Sequence, residues 1–435
     1  MKMIDFDRGI LNKSFRKLSS LLLISVIGCT ANTVLLAQNG TGSVYSIFGI
    51  GEMSRTYSAA SQGMGYTSIG LSSPYNINNI NPAANDLAGK YFNHVFDIGF
   101  YYASTNYQSQ GETESGSYGG LSNLSFWFKF NDRWNGLIGL SSYSNVGYNI
   151  YKNNINSFEN ADYDVAYEGS GGLNEFYFSN SYSIAKNFSL GLKLAFVFGN
   201  TEHTEDVYGG QTLKRYLSES TTNIANIDLE YSLNYRLQRP DYYLNFGLIY
   251  KNPTKLNGNT TSSISEWDYS LGVDVAADTL FNELESASNY TLPRRIGFGL
   301  SYNTAKVILA GDIEFNQWSR AEIEGYTEDL TDTWKYAVGM EITPDRFGQK
   351  ALSRVSYRIG GYAENSYIKV NNKMFYTYGI TAGLSIPLKR GSAINIAYQR
   401  KYNGTTENDL IFESTHELSL NISMRQRWFQ RPKYD

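Results

Sequence analysis

Val307-Ile308-Leu309-Ala310-Gly311-Asp312-Ile313-Glu314-Phe315 alternates apolar and polar side chains, and so does Glu417-Leu418-Ser419-Leu420-Asn421-Ile422-Ser423-Met424. A period of two sends successive side chains to opposite faces of a strand. Val307, Leu309, Ile313 and Phe315 therefore share one face, and Asp312 and Glu314 share the other. A soluble sandwich has the same alternation, so these two stretches alone do not name the solvent. Repetition over most of the chain, aromatics at strand ends and a leading export signal point to a closed antiparallel barrel. Its apolar face lies in lipid and its polar face lines a lumen. The fold class expected is all-β, a transmembrane antiparallel β-barrel.

The other stretches of this kind are 92–103, 123–130, 136–146, 175–184, 189–199, 242–250, 295–302, 334–342, 355–362, 376–386 and 393–399. Leu190, Leu192, Leu194, Phe196 and Phe198 fall on one face of theirs, as do Leu124, Phe126, Phe128 and Phe130. Short turns at 131–133, 185–187, 303–305 and 388–391 alternate with long polar stretches at 104–120, 147–172, 317–332 and 403–413. Tight turns at one rim and long loops at the other are the habit of outer-membrane barrels. The connection after Ile342 is long where a tight turn is expected. A closed barrel with both ends on one side needs an even number of strands. Thr212–Leu237 supplies one more, too long for a simple span, and gives fourteen. Two extra strands near Trp267–Val275 would give sixteen, with 278–290 left as a loop.

The 435-residue chain has no composition break that would divide it into soluble domains. Tyr is abundant at 36 residues, which suits a ring of amphipathic side chains at headgroup depth. Tyr101-Tyr102, Trp127, Trp134, Tyr242-Tyr243 and Trp428-Phe429 read as such girdles. Lys2, Arg8, Lys13, Arg16 and Lys17 precede the apolar run 18–27, and Leu35-Leu36-Ala37 offers a cleavage point, so 1–37 reads as a signal peptide. Val26-Ile27-Gly28-Cys29 is a competing lipobox with Cys29 as a lipidated terminus. Cleavage after Ala37 removes that cysteine, and with it disulfides and thiolate metal sites. It also leaves 32 basic against 39 acidic side chains, a net −7, which excludes a nucleic-acid partner.

Residues 38–90 do not alternate. They are rich in Gly, Ser and Asn, yet carry Ile47, Phe48, Ile50, Met64, Ile69, Leu71, Ile77 and Ile80. A lumen fourteen strands wide is too large for wall side chains to fill, so this segment is expected as a plug, with the barrel over 91–424 and a basic periplasmic tail over 425–435. Lys129, Lys193, Asp312, Glu314 and Glu417 fall on polar faces. Lys129, Lys193, Arg295, Asp312 and Glu314 are expected to pair with one another and with the plug, since buried charge needs a partner. Arg55 and Arg295 are the candidate partners of Asp312 and Glu314. The histidines His94, His203 and His416 sit at a tight-turn end, in a loop and at the opposite rim. No Ser–His–acid group, nucleotide loop or metal spacing can be built from them, so no enzyme, metal or cofactor is expected.

Gly63-Met64-Gly65-Tyr66-Thr67-Ser68-Ile69-Gly70 followed by Asn81-Pro82-Ala83 resembles the hatch segment of the outer-membrane long-chain fatty-acid transporters, the FadL/TodX-like group. Leu292-Pro293, Gly297, Gly299 and Tyr302 with Asp312 and Trp318-Ser319, then 336–341 with Arg358, Gly360 and Gly361, are similar to that family's later strands. The resemblance implies fourteen strands and a hatch in which Gly63, Gly65, Gly70, Asn81, Pro82 and Ala83 are the characteristic positions. It also implies passive uptake of hydrophobic small molecules such as long-chain fatty acids, released sideways into membrane lipid. The tail after 424 departs from that family. A non-transporting barrel subunit of an outer-membrane assembly or secretion complex, with protein partners, is the alternative. A polar porin is disfavoured by the plug.

Overall fold

The computed structural model describes residues 41–427 except 55–56, 110, 157–161, 210–213, 269–274, 324–326, 371, 389–390 and 408–409. The expected signal peptide, Cys29, Arg55 and Trp428-Phe429 lie outside the described residues. Strand order closes on itself. The strands β1 (Glu52–Met53), β2 (His94–Ser109), β3 (Glu112–Lys129), β4 (Trp134–Asn145), β5 (Tyr148–Asn156) and β6 (Asp162–Ala185) come first. They are followed by β7 (Phe188–Gly209), β8 (Lys214–Gln238), β9 (Tyr242–Lys251), β10 (Thr254–Asp268), β11 (Val275–Leu292) and β12 (Arg294–Thr304). The last are β13 (Val307–Gln317), β14 (Thr333–Ile342), β15 (Ser356–Asn365), β16 (Tyr376–Pro387), β17 (Ala393–Asn403) and β18 (Phe412–Gln426). β18 pairs antiparallel with β2 from Phe412↔Gln108 to Gln426↔His94, which seals the ring.

Fourteen strands form the wall. The long stretch before residue 240 is the single strand β8. Its lower half pairs with β9 and its upper half, from Lys214↔Asp268 to Ile224↔Gly258, pairs with β10. β10 and β11 are a hairpin standing beside β8 above the wall, so they add no spanning strands. Residues 278–290, read as a loop, lie within β11. The stretches 104–120 and 147–172 are likewise largely paired strand: β2–β3 runs to Ser109↔Glu112, and β5 pairs β6. His203, read as a loop residue, pairs with Ser220 within β7–β8. The reason is common to all. Above the membrane the outer face of a strand meets water instead of lipid, so no outward apolar row is imposed and polar sequence hides the pairing.

The outer skin matches the alternation. Leu190, Leu192, Leu194 and Phe196 are 41–47 % exposed on β7, while Lys193 between them turns inward. Ile380 and Val338 reach 64 %. Exposed aromatics form two belts: Trp134, Tyr182, Tyr235 and Tyr357 at the tight-turn rim, and Tyr102, Trp334, Tyr378 and Tyr398 toward the tall rim. This is the surface of a transmembrane barrel. Trp127, read as girdle, is instead fully buried and donates to Asn135 Oδ1 at 3.0 Å. Tyr101 turns into the lumen while Tyr102 faces out, as neighbours on a strand must. No described helix is long and apolar enough to cross a membrane.

Residues 41–93 pack inside the ring. They contain little regular structure: 3-10 turns at Val44–Ile47 and Pro82–Lys90, β1, and one helical turn, Ala59–Gln62. Their apolar side chains fill the wall's inner face. Ile50 sits with Leu173, Val197 and Ile224, Ile69 and Ile80 with Ile249, and Ile77 with Trp127 and Tyr177. β18 runs through Gln426, two residues into the stretch read as a tail, and Arg425 donates to Gly391 O and Asn76 Oδ1 on the barrel floor. Residues 428–435 of that stretch lie outside the described residues.

Candidate functional site

The inner segment is shaped by side-chain amides. Asn78 donates to Ser68 O and Leu71 O and accepts from the N–H groups of Ile80 and Asn81, while Asn85 bonds both backbone groups of Asn78. Asn81 donates to Ile69 O at 2.7 Å and reaches Leu233 O on the wall. Pro82 opens the 3-10 turn, where its missing N–H removes no bond. Ala83, fully buried, donates its N–H to Ser232 Oγ. These bonds give polar backbone in the lumen the partners it requires.

The wall receives this segment at close range. Gly65 (φ 69°) lies against Gly360 and Gly361, Gly63 against Gly383, and Gly70 against Gly299. A Cβ on Gly247 would stand 1.8 Å from Ile69 O. Backbone meets backbone there, which only glycine permits. Asp312 adds a charged clasp: it accepts from the N–H groups of Ser68 at 2.6 Å and Ile69 at 2.8 Å, with Gly70 N at 3.5 Å. Among the described residues Asp312 is held by a nest of main-chain donors and makes no ion pair, while Arg55, one of its two expected partners, lies outside them. Asp312→Ala removes charge-assisted bonds from two buried donors. It is expected to lower thermal stability by about 2–4 kcal/mol and to expose residues 60–75 to protease, read by mass spectrometry of the cleaved ends.

Above the clasp lies a cavity of about 360 Å³. Eight tyrosines line it, with Leu121, Met53, Trp318 and Phe375. Tyr66 and Tyr362 both donate to Gln399 Oε1, and Gln399 and Gln62 donate to Glu417. Lys401 holds Glu52 at 2.7 Å. Lys335 Nζ lies 4.8 Å from the Tyr57 ring centroid and 5.1 Å from that of Tyr66. Arg295 bridges Glu230 at 3.0 Å and Glu314 at 2.9 Å, so two of the expected lumen charges meet here. Lys193 pairs with Glu175 at 2.8 Å in an adjoining cavity of about 60 Å³. Lys129 stands apart at the tight-turn rim, bonded to Asp132 and Gly89 O. Glu52, Lys335, Gln399 and Lys401 were not singled out by sequence. Inward parity on alternating strands was the available signal for Lys335, Gln399 and Lys401, and Glu52, in the segment that does not alternate, had none.

One side of the cavity is a seam in the wall. β3 pairs with β4 only from Lys129↔Asn135 to Asn123↔Ser141. Above that, β3 continues along β2 and β4 along β6, its partner over its whole length, and among the described residues no strand joins the facing edges of β3 and β4. β1 and the residue after it cover the upper end of β4's free edge: Glu52 pairs with Asn145, Met53 with Ser144, and Ser54 donates its N–H to Tyr143 O at 2.9 Å. Tyr118, Leu121 and Ser122 of β3 and Ser142 and Tyr143 of β4 line the cavity across this break. A bulge at Ser122, skipped between Gly99↔Asn123 and Phe100↔Leu121, bends β3 beside it.

At the tall rim Glu413 ties down the start of the inner segment. Its carboxyl accepts from Ser43 Oγ, Val44 N–H and Asn403 Nδ2 at 2.7–2.9 Å. Glu413 lies above the lipid-facing stretch of β18, which begins at Leu418. Burial pushes its pKa up from 4.5 to about 7. The folded state therefore binds the proton more tightly than the unfolded chain. The stability this contributes is full below pH 4.5 and is lost as pH rises through 7. Hydrogen exchange at 43–47, corrected for intrinsic rate, is expected to quicken between pH 5 and 8 in the native chain and to lose that step in Glu413→Gln.

A family model described as BamG matches residues 18–435. No curated protein matches the chain. Among solved structures, the toluene transporter TbuX of Ralstonia pickettii superposes with a TM-score of 0.57 at 14% identity, covering 85% of this chain and 98% of its own. A Pseudomonas aeruginosa FadL homologue gives 0.58 at 14%, covering 87% and 100%. The P. putida toluene transporter TodX gives 0.54 at 15%, covering 86% and 99%. At such identities the likeness is one of fold.

Proposed function

The chain belongs to the BamG family, and from that premise and the geometry of its lumen we propose that it is a bacterial outer-membrane channel for passive uptake of hydrophobic small molecules, with residues 41–93 as its hatch. The observation that carries this is the cavity's position beside an unpaired stretch of wall. Ligand enters from the tall, external rim, is held among the tyrosines, and leaves between β3 and β4 into the bilayer. The hatch closes the straight route to the periplasm. No energy source is needed, because transfer into hydrocarbon is downhill by roughly 25 cal/mol per Å² of apolar surface. The fold shared with TbuX and TodX, which are named as toluene transporters, supports the reading. Long-chain fatty acids are among the compounds proposed. In a strain lacking other such channels, deletion of this chain is expected to lower uptake of a radiolabelled long-chain apolar compound, and restoring the chain to recover it. Unchanged uptake removes the proposal.

A second reading has one observation of its own. β6, β7 and β8 continue far beyond the lipid-facing stretch and, with β10 and β11, build a tall external sheet that a channel does not need. That sheet suits a non-transporting subunit of an outer-membrane assembly. Stoichiometric protein partners after gentle extraction would favour it.

A further inference from the structure

The cavity is lined by four carboxylates, Glu52, Glu314, Glu364 and Glu417, and by four cations, Lys251, Arg295, Lys335 and Lys401. We propose that its occupant is an amphiphile whose head is rich in hydrogen-bonding groups and carries no net charge, zwitterionic or neutral, with its tail directed through the seam. This rests on reading the cavity as the channel's ligand site.

Three observations carry it. The lining charges balance, so the cavity has no overall preference for a lone anion. Three of its four cations are held by carboxylates: Lys401 by Glu52 at 2.7 Å, Arg295 by Glu314 at 2.9 Å, and Lys251 by Asp228, with Tyr143 beside it. A fatty-acid carboxylate would have to compete with protein carboxylates for those three. A plain hydrocarbon fares no better. The hydroxyls of Tyr66 and Tyr362, Gln62, Gln399 and Asn145 already have partners in the protein but keep capacity for further bonds, and a hydrocarbon offers that capacity neither donor nor acceptor. A head with both donors and acceptors replaces the water it displaces. Tyr57, Tyr66 and Tyr362 already hold one ammonium, that of Lys335, over their rings. Such rings also suit the cationic half of a zwitterion. The apolar part of the lining is placed for the tail: Leu121 lies at the break in the wall, 39 % exposed, opposite the lipid-facing Phe100 of β2.

The head could arrive from the medium or from the outer leaflet. The test uses the mature chain in phosphatidylglycerol nanodiscs. Dodecylphosphocholine, laurate and dodecane are added at equal concentration, and retained probe is measured above empty discs. Ser142→Trp, at the seam, reports what is held in the cavity. The expected result is dodecylphosphocholine retained about tenfold over laurate and dodecane, with that excess lost in Ser142→Trp. Glu417→Gln, which tips the lining by one positive charge, is expected to raise laurate several-fold relative to the zwitterion. In phosphatidylcholine discs without probe, bilayer lipid held by the native chain and lost from Ser142→Trp assigns the supply to the membrane; its absence assigns the supply to the medium. Laurate or dodecane held best overturns the inference and leaves the channel reading standing. No Ser142-dependent retention of any probe or lipid removes both.

Discussion

Gly247→Val and Gly360→Val are each expected to unseat the hatch while leaving the barrel closed. A Cβ at Gly247 would lie 1.8 Å from Ile69 O, and one at Gly360 would lie 2.2 Å from Gly65 N and 2.3 Å from Met64 C. Overpacking costs about 1–3 kcal/mol where side chains can yield. Here the obstructing atoms are backbone on both sides, so the relief available is withdrawal of the hatch. Withdrawal also breaks the clasp at Asp312, because Ser68 and Ile69 are its donors. A penalty of about 2 kcal/mol raises the unseated fraction roughly thirtyfold. Limited proteolysis should then cut within 60–75 at a correspondingly higher rate, and planar-bilayer recordings should show new conductance, since a fourteen-strand lumen without its filling is a water-filled pore. Gly311→Ala is the control. The nearest atom to its Cβ is Ala337 O at 3.7 Å, and the substitution should change neither readout. Cleavage and conductance equal to the native chain at both positions would show that the hatch is not held by this contact.

The spanning part of the molecule was legible in the sequence because lipid imposes a rule on it. Where one face meets hydrocarbon and the other a polar lumen, every second residue is constrained, and Val307–Phe315 or the run through Leu190 and Phe196 can be read directly. The same rule put Lys193, Asp312 and Glu314 inside. It fails above the membrane, where β11 and the upper parts of β5 and β6 are polar on both faces and look like loops. It also fails for aromatics, because a tyrosine is at home at a headgroup and in a hydrated lumen alike. Tyr101 and Tyr102 differ only in parity, and Trp127 differs from Trp134 only by where the strand begins. The partner of Asp312 was hidden for another reason: the sequence advertises charged side chains, and the donors here are main-chain N–H groups with no letter of their own. The seam was equally silent. It arises where β3 and β4 part above Asn123 and Ser141: β3 stays with β2, and β4, paired with β6 along its whole length, takes β1 on its other edge.

Joining the edges of the seam is expected to stop uptake. Continuing the β3–β4 register beyond Asn123↔Ser141 brings Ser122 opposite Ser142, and both line the break. In a Cys29→Ser background, Ser122→Cys with Ser142→Cys supplies the only thiols in the chain, so a bond between them is unambiguous in a gel shift and a maleimide count. If ligand leaves between these strands, the oxidised protein should take up a long-chain apolar compound at least about tenfold more slowly than its reduced form, and reductant should restore the rate. The tenfold figure follows from a barrier raised by about 1.4 kcal/mol or more, a low bound for closing the way out. A second pair separates the seam from mere stiffening of the wall. Phe126 and Ile138 already face each other in the paired part of the same two strands, so Phe126→Cys with Ile138→Cys adds a cross-link where nothing needs to pass. That variant should transport equally well oxidised and reduced. Ligand binding in the cavity should survive oxidation of the second pair, because neither Phe126 nor Ile138 lines the cavity. Undiminished uptake through the locked seam would move the exit elsewhere in the wall or through the hatch, and the parting of β3 from β4 above Asn123 would then need another explanation.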